Sequence, residues 1–332
     1  MRRLTIVVIV LALLYSGYWM IGAMAMERGV RQAFDDLRAD GWQVTYDDLG
    51  TRGFPSRFDT TVDALDMTAP DDSLQYQAPF LQALALSYQP NKLIVVFPES
   101  QTLRLGADLL ALDADALRAS AAVNLNADLS LDAITFEGDS AALALGPDIT
   151  LATNRVIAAL REAGPVVNRY DVYTNLDTIT LPDAMRAALD PNGQHPDSIA
   201  DLTLNSTVTL DRPLDRHSIA QFETDPALIT AVTVKEAQLQ WGTMAVSANG
   251  DLTVDQSGVP TGEIDISVQD WRAMIAAASN AGLIEPGFDT TFENLAAALS
   301  EGRDTLELTL SFSDGRMSIG PFPLGPAPRL HP

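Results

Sequence analysis

Three histidines, His195, His217 and His331, are the side chains best suited to move a proton near neutral pH. None stands at metal-ligand spacing from another. His195 sits beside Pro196 in a turn-rich stretch and His331 adjoins Pro332, so all three read as solvated loop residues. A Ser-His-acid set is built in space, so sequence alone leaves it open. There is no G-x-S-x-G elbow, no phosphate loop and no dinucleotide fingerprint. Asp190-Pro191-Asn192-Gly193-Gln194 lacks the ligand order and terminal glutamate of a calcium loop and reads as a turn. The 44 acidic residues show no paired pattern that would select an acid and a base. No catalytic, cofactor-binding or metal-binding residue is assigned, and no cofactor is expected.

Two proline-containing motifs are the candidate structural or interaction elements. Gly53-Phe54-Pro55 with Arg57 reads as a bend that re-aims a strand and packs Phe54 inward; the alternative is a functional loop. Pro323-Leu324-Gly325-Pro326, inside a longer run from Gly320 to Pro328, is too stiff and donor-poor for a central strand. It reads as a tail along an edge of its own domain; the alternative is an extended peptide for a partner.

The elements that must carry these motifs follow from periodicity. Arg2 and Arg3 precede an uncharged run from Leu4 to Met26, long enough to cross a bilayer, which needs about 20 apolar residues. Tyr15, Tyr18 and Trp19 suit an interfacial belt. The competing reading is a signal peptide cleaved after Ala25, but the apolar stretch exceeds a signal core. Val30, Ala33, Phe34 and Leu37 recur at helical spacing, so residues 27–41 are expected to continue the anchor as an amphipathic helix ending at Gly41.

From Trp42 onward the period becomes two. Trp42, Val44 and Tyr46 alternate with polar residues, as do segments of 57–67, 172–181, 202–210 and 306–312. Val123 to Ala133 alternates most strictly and reads as a half-buried strand running towards a hairpin turn at Glu137-Gly138-Asp139-Ser140. Asn154 to Ala163 reads as a helix on the spacing of Val156, Ile157 and Leu160. Pro182–Leu189, Trp271–Asn280 and Phe292–Leu299 read as further short helices.

The expected fold class is therefore α+β and β-rich: an N-terminal transmembrane helix, then antiparallel, strongly twisted sheet with a few short packing helices. The expected domains are an anchor over 1–26, the helical continuation over 27–41, and one β-rich domain over 42–332. Residues 182–198 are the candidate boundary between two lobes.

A formal charge of −23 without a basic stripe argues against nucleic acid as a partner. The absence of cysteine rules out disulfides, thiolate metal sites and thiol nucleophiles. A short basic leader followed at once by a span is an export arrangement, so the bulk of the chain is expected in the periplasm, anchored in the inner membrane through residues 4–26. Arg28, Arg31 and Arg38 beyond the span weaken the charge argument for that orientation.

The N-terminal span, the Trp42-x-Val44-x-Tyr46 strand, Gly53-Phe54-Pro55, and Asp314-Gly315 followed by Pro323-Leu324-Gly325-Pro326-Ala327-Pro328 resemble the alphaproteobacterial family called domain of unknown function 2125. The resemblance implies a membrane-anchored envelope protein and carries no catalytic residues. The architecture is also similar to AsmA-like envelope proteins with β-sheet lipid grooves, a likeness that speaks to form rather than function. The expected function is a scaffold or binding protein of the cell envelope, with a lipid or another envelope protein as its partner. The alternative is an envelope hydrolase whose site is assembled from distant residues.

Overall fold

The computed structural model describes residues 2–146, 149–164, 168–221, 224–284 and 287–331. The chain divides into two compact units: residues 1–123 with 137–147, and residues 124–136 with 148–332. Residues 182–198, the expected lobe boundary, fall inside the second unit.

The first unit opens with α1 (Arg2–Ala39), one unbroken helix that joins the expected anchor and its amphipathic continuation. Gly41, at φ +93°, ends it in a conformation that favours glycine. The sheet follows as β1 (Gln43–Thr45), β2 (Asp48–Arg52), β3 (Arg57–Thr68), β4 (Leu74–Leu86), β5 (Gln89–Val96), β6 (Ser100–Leu105) and β7 (Asp108–Val123). All its registered pairs are antiparallel: β3 holds β1, β2 and β4, while β5 and β6 both lie between β4 and β7. A positive φ at Ala64 offsets the alternation, so Phe58, Thr60, Val62 and then Leu65 share the covered face.

That face is covered by α1. Phe34 packs with Val44, Leu49, Val62 and Leu65, with Val30 and Leu37 from the helix beside them. Nearer the N-terminus, Ala23 packs with Phe58 and Ala85. Gly22 faces the Phe58 ring so closely that a Cβ there would lie 2.5 Å from Cζ. Arg31 and Arg38 donate to the carbonyls of Leu49 and Val44, and Glu27 accepts from the Thr51 amide. Farther along the sheet, Tyr76 donates to Gln101 Oε1 at 2.6 Å, and burial pushes its phenol up to about 12.

Strand β8 (Leu131–Leu145) contributes residues to both units. The second unit is otherwise a meander: β9 (Ile149–Glu162), β10 (Arg169–Thr180), β11 (Ser198–Leu210), β12 (Ile229–Trp241), β13 (Met244–Val254), β14 (Pro260–Gln269), β15 (Thr305–Ser313), β16 (Arg316–Ile319) and β17 (Phe322–Pro326). Each of these strands pairs antiparallel with the next. Four short helices interrupt them: α2 (Asp183–Leu189), α3 (Arg216–Ala220), α4 (Trp271–Asn280) and α5 (Asp289–Ser300).

Three expectations are corrected. Residues 154–162 belong to β9, because 155–162 pair residue for residue with β10; sheet partners override the helical spacing. Residues 124–130 are a loop and not a strand. Asn124 and Asn126 bond Ser130, closing a local turn that competes with the ladder. It leaves Leu125 79% exposed. Residues 137–140 lie within the unbroken strand β8 and make no hairpin turn.

Candidate functional site

In an antiparallel ladder, residues directly opposite each other point to one face. Reading across the second unit, Leu176 stands opposite Leu202, Leu202 opposite Leu239, and Leu239 opposite Val246. Val246 meets Val268, which meets Leu306. A parallel row runs from Thr174 through Leu204, Ala237 and Ala248 to Ile266 and Leu308. From β10 to β15 this face carries no charged side chain among the residues so aligned. Six strands at about 4.8 Å spacing make it roughly 25 Å across.

The opposite face is polar. Asn175 bonds Asp201 and Thr203, Thr233 bonds Asp251, and Thr309 bonds Asp265. Asp171 accepts from Lys235 at 2.7 Å and Thr207 at 2.8 Å, with Arg161 at 3.6 Å. The Lys235 hydrogen bond, reinforced by Thr207 and Arg161, holds the Asp171 carboxyl below the usual carboxylate range.

An ordinary sandwich would bury the apolar face throughout. Here, among the described residues, α4 and α5 pack on the sheet over β13 to β15, one side of the face. There Val268, Trp271, Ala296 and Leu306 are buried together. On the same face, Leu204 of β11 is 37% exposed and Val234 of β12 is only half-buried, as are Ile264 of β14 and Leu310 of β15.

At the covered end, α4, α5 and the strands β14–β17 line a cavity of about 200 Å³ that is open to solvent on one side. Its walls include Trp271, Met274, Phe292, Leu299, Leu308 and Phe322, and every lining residue is apolar. Leu308 and Val268 belong both to this cavity and to the apolar face, so the two are continuous. Phe322 and Leu324, both exposed, bring the edge strand β17 to its rim.

The two motifs singled out in the sequence fall in different units. Gly53, Phe54 and Pro55 connect β2 to β3, and Arg57 opens β3. Phe54 is 56% exposed instead of packed inward, and its ring meets Trp19 of α1 edge-on at 5.4 Å. Arg57 pairs with Asp59 at 3.1 Å. Pro323, Leu324, Gly325 and Pro326 form most of β17, which pairs with β16 alone among the registered strands. The cavity itself escaped sequence reading. Its signal was the spacing of Trp271, Met274 and Ile275 on α4, which is common to any packed helix.

The histidines are dispersed. His195 stacks at 4.8 Å on Trp241; His217 lies in α3, 4.0 Å from Asp128, with both side chains exposed; and His331 lies near the C-terminus beside Gly258. Among the described residues, no group of three His, Asp or Glu side chains could hold a metal ion.

The fold defines a class: a β-rich protein led by one helix long and apolar enough to cross a membrane, with a sheet that is apolar on one face. The chain belongs to the family described as uncharacterized protein conserved in bacteria (DUF2125), whose model matches residues 19–328. No curated protein matches it.

Proposed function

We propose that this chain is an inner-membrane-anchored envelope protein that holds the acyl portion of a lipid on the apolar face of its second unit, with the bulk of the chain in the periplasm. The observation that carries this reading is the uncharged face between β10 and β15, which runs into an all-apolar cavity. An acyl chain is long, thin and without hydrogen-bonding groups. It matches a surface with no charge to neutralise and few polar groups, Thr174 among them, and each buried methylene contributes about 0.8 kcal/mol. A helix that places the protein at a bilayer puts such chains within reach.

A partner protein would need polar groups at the rim of its docking surface and would bury a broad patch. An apolar sheet face that runs into an open, all-apolar pocket suits an acyl chain better.

The test uses the full-length protein and the polyene fatty acid cis-parinaric acid, whose absorption overlaps Trp271 emission. Binding is expected in the wild type. Leu204→Asp and Ile264→Asp should each weaken it at least about tenfold, since lost chain contacts and a charge in the trough together exceed ~1.4 kcal/mol. Far-ultraviolet circular dichroism should be unchanged, as both sites are already partly open to water. No probe binding by the wild type, or equal binding by both variants, would sink the proposal. A reporter enzyme active only outside the cytoplasm, fused after residue 332, should be active; an inactive fusion would reverse the orientation.

A further inference from the structure

The uncharged run of α1 spans Leu4 to Met26, yet the helix is not free over that length. Tyr15 donates its hydroxyl to the Pro55 carbonyl at 2.8 Å, Tyr18 donates to the Ser87 carbonyl, and the Trp19 indole donates to the Arg57 carbonyl at 2.8 Å. The docking is in place by Tyr15, and the run ahead of it, Leu4 to Leu14, is 11 residues and about 16 Å long at 1.5 Å per residue. A hydrocarbon core is about 30 Å thick. If Arg2 and Arg3 mark one surface, the loops docked at Tyr15 to Trp19 lie inside the far leaflet and not above it.

Those loops are built for such a place. Phe54 and Tyr88 project from them, 56% and 68% exposed. Backbone carbonyls in hydrocarbon must be satisfied internally; here the three that face α1 accept from its aromatic side chains. Arg57, at the same level, has its guanidinium charge met within the unit by Asp59 at 3.1 Å.

We propose that the base of the first unit is inserted in the bilayer, with Phe54 and Tyr88 among acyl chains of the outer leaflet. This rests on α1 spanning the membrane, as proposed above, but not on the lipid-binding face. The occupant is the phospholipid bilayer itself.

The absence of native cysteine allows single nitroxide labels in the full chain, reconstituted in mixed phosphatidylethanolamine–phosphatidylglycerol vesicles. Labels would be placed by Phe54→Cys, Tyr88→Cys, Ile9→Cys and Ser73→Cys, and relaxation compared between oxygen and a water-soluble nickel chelate. Oxygen should dominate at positions 9, 54 and 88, and the chelate at position 73, in the turn at the other end of the β3–β4 hairpin. Lipid exposure at 9 with aqueous exposure at both 54 and 88 would overturn the insertion alone. Aqueous exposure at 9 would overturn the anchor and the insertion with it. Tyr88 makes the test independent of any damage from losing the Phe54–Trp19 contact.

Discussion

Gly250→Val is expected to abolish cooperative folding of the second unit. A Cβ at Gly250 would stand 2.2 Å from the Glu263 carbonyl oxygen and 2.8 Å from the Ile264 Cα. Both are backbone atoms of β14, held by the β13–β14 ladder, so neither can swing aside. Gly262 faces the same limit from the other strand, 2.2 Å from the Asp251 carbonyl. Two glycines thus let β13 and β14 approach closely across the apolar face. Strain and overpacking together should cost on the order of 3 kcal/mol or more. Chemical denaturation monitored by circular dichroism is the measurement. Asn249→Val, at the exposed neighbouring position, is the control and should shift the midpoint little. A wild-type midpoint for Gly250→Val would show that the strands can part at no cost, against the geometry.

The second large effect is expected from Trp271→Ala. Trp271 is 2% exposed, donates its indole N–H to the Arg303 carbonyl at 3.2 Å, and lies beneath the Arg272 guanidinium at 4.2 Å. Removing it deletes the side chain that joins α4 to β14 and β15. Loss of a buried aromatic costs about 3–5 kcal/mol, which lowers the Tm of a unit this size by roughly 10 °C. Trp271→Phe should restore most of the loss, because the ring survives and only the indole hydrogen bond goes. Calorimetry would decide it: a shift under about 2 °C, within what a surface change causes, would mean the helix is not packed as described. The same truncation enlarges the cavity, so a small apolar ligand such as benzene should recover part of the lost Tm by preferential binding to the folded state.

Much of the strand pattern is written in the sequence because it is local. Leu202 to Leu210 and Leu306 to Phe312 alternate, and both form strands with one apolar face. Trp271–Asn280 is a helix with the expected bounds. What failed was decided by partners far along the chain. The 154–162 segment has apolar residues three and four apart, yet β10 recruits it as a strand. The 123–133 segment alternates, yet two asparagines close it into a loop. Ala64 and Thr178 at positive φ interrupt the in-and-out alternation of their strands without shifting the register, and neither residue type announces this. The apolar face is visible strand by strand, but the continuity of its rows depends on every register across six strands. The cavity is less legible still, since it needs α4, α5 and β17 to meet.

The docking of α1 has a bearing on how the chain can be processed. Phe58 and Ala85 are roofed by Ala23, with Trp19 and Met26 at the sides. Severing the backbone after Ala25 would take Trp19, Gly22 and Ala23 away, leaving a greasy scar and three carbonyls stripped of their Tyr15, Tyr18 and Trp19 donors. The helix is thus part of the first unit's packing as well as its lead-in, and its loss would be felt as newly wetted apolar surface on Phe58 and Ala85.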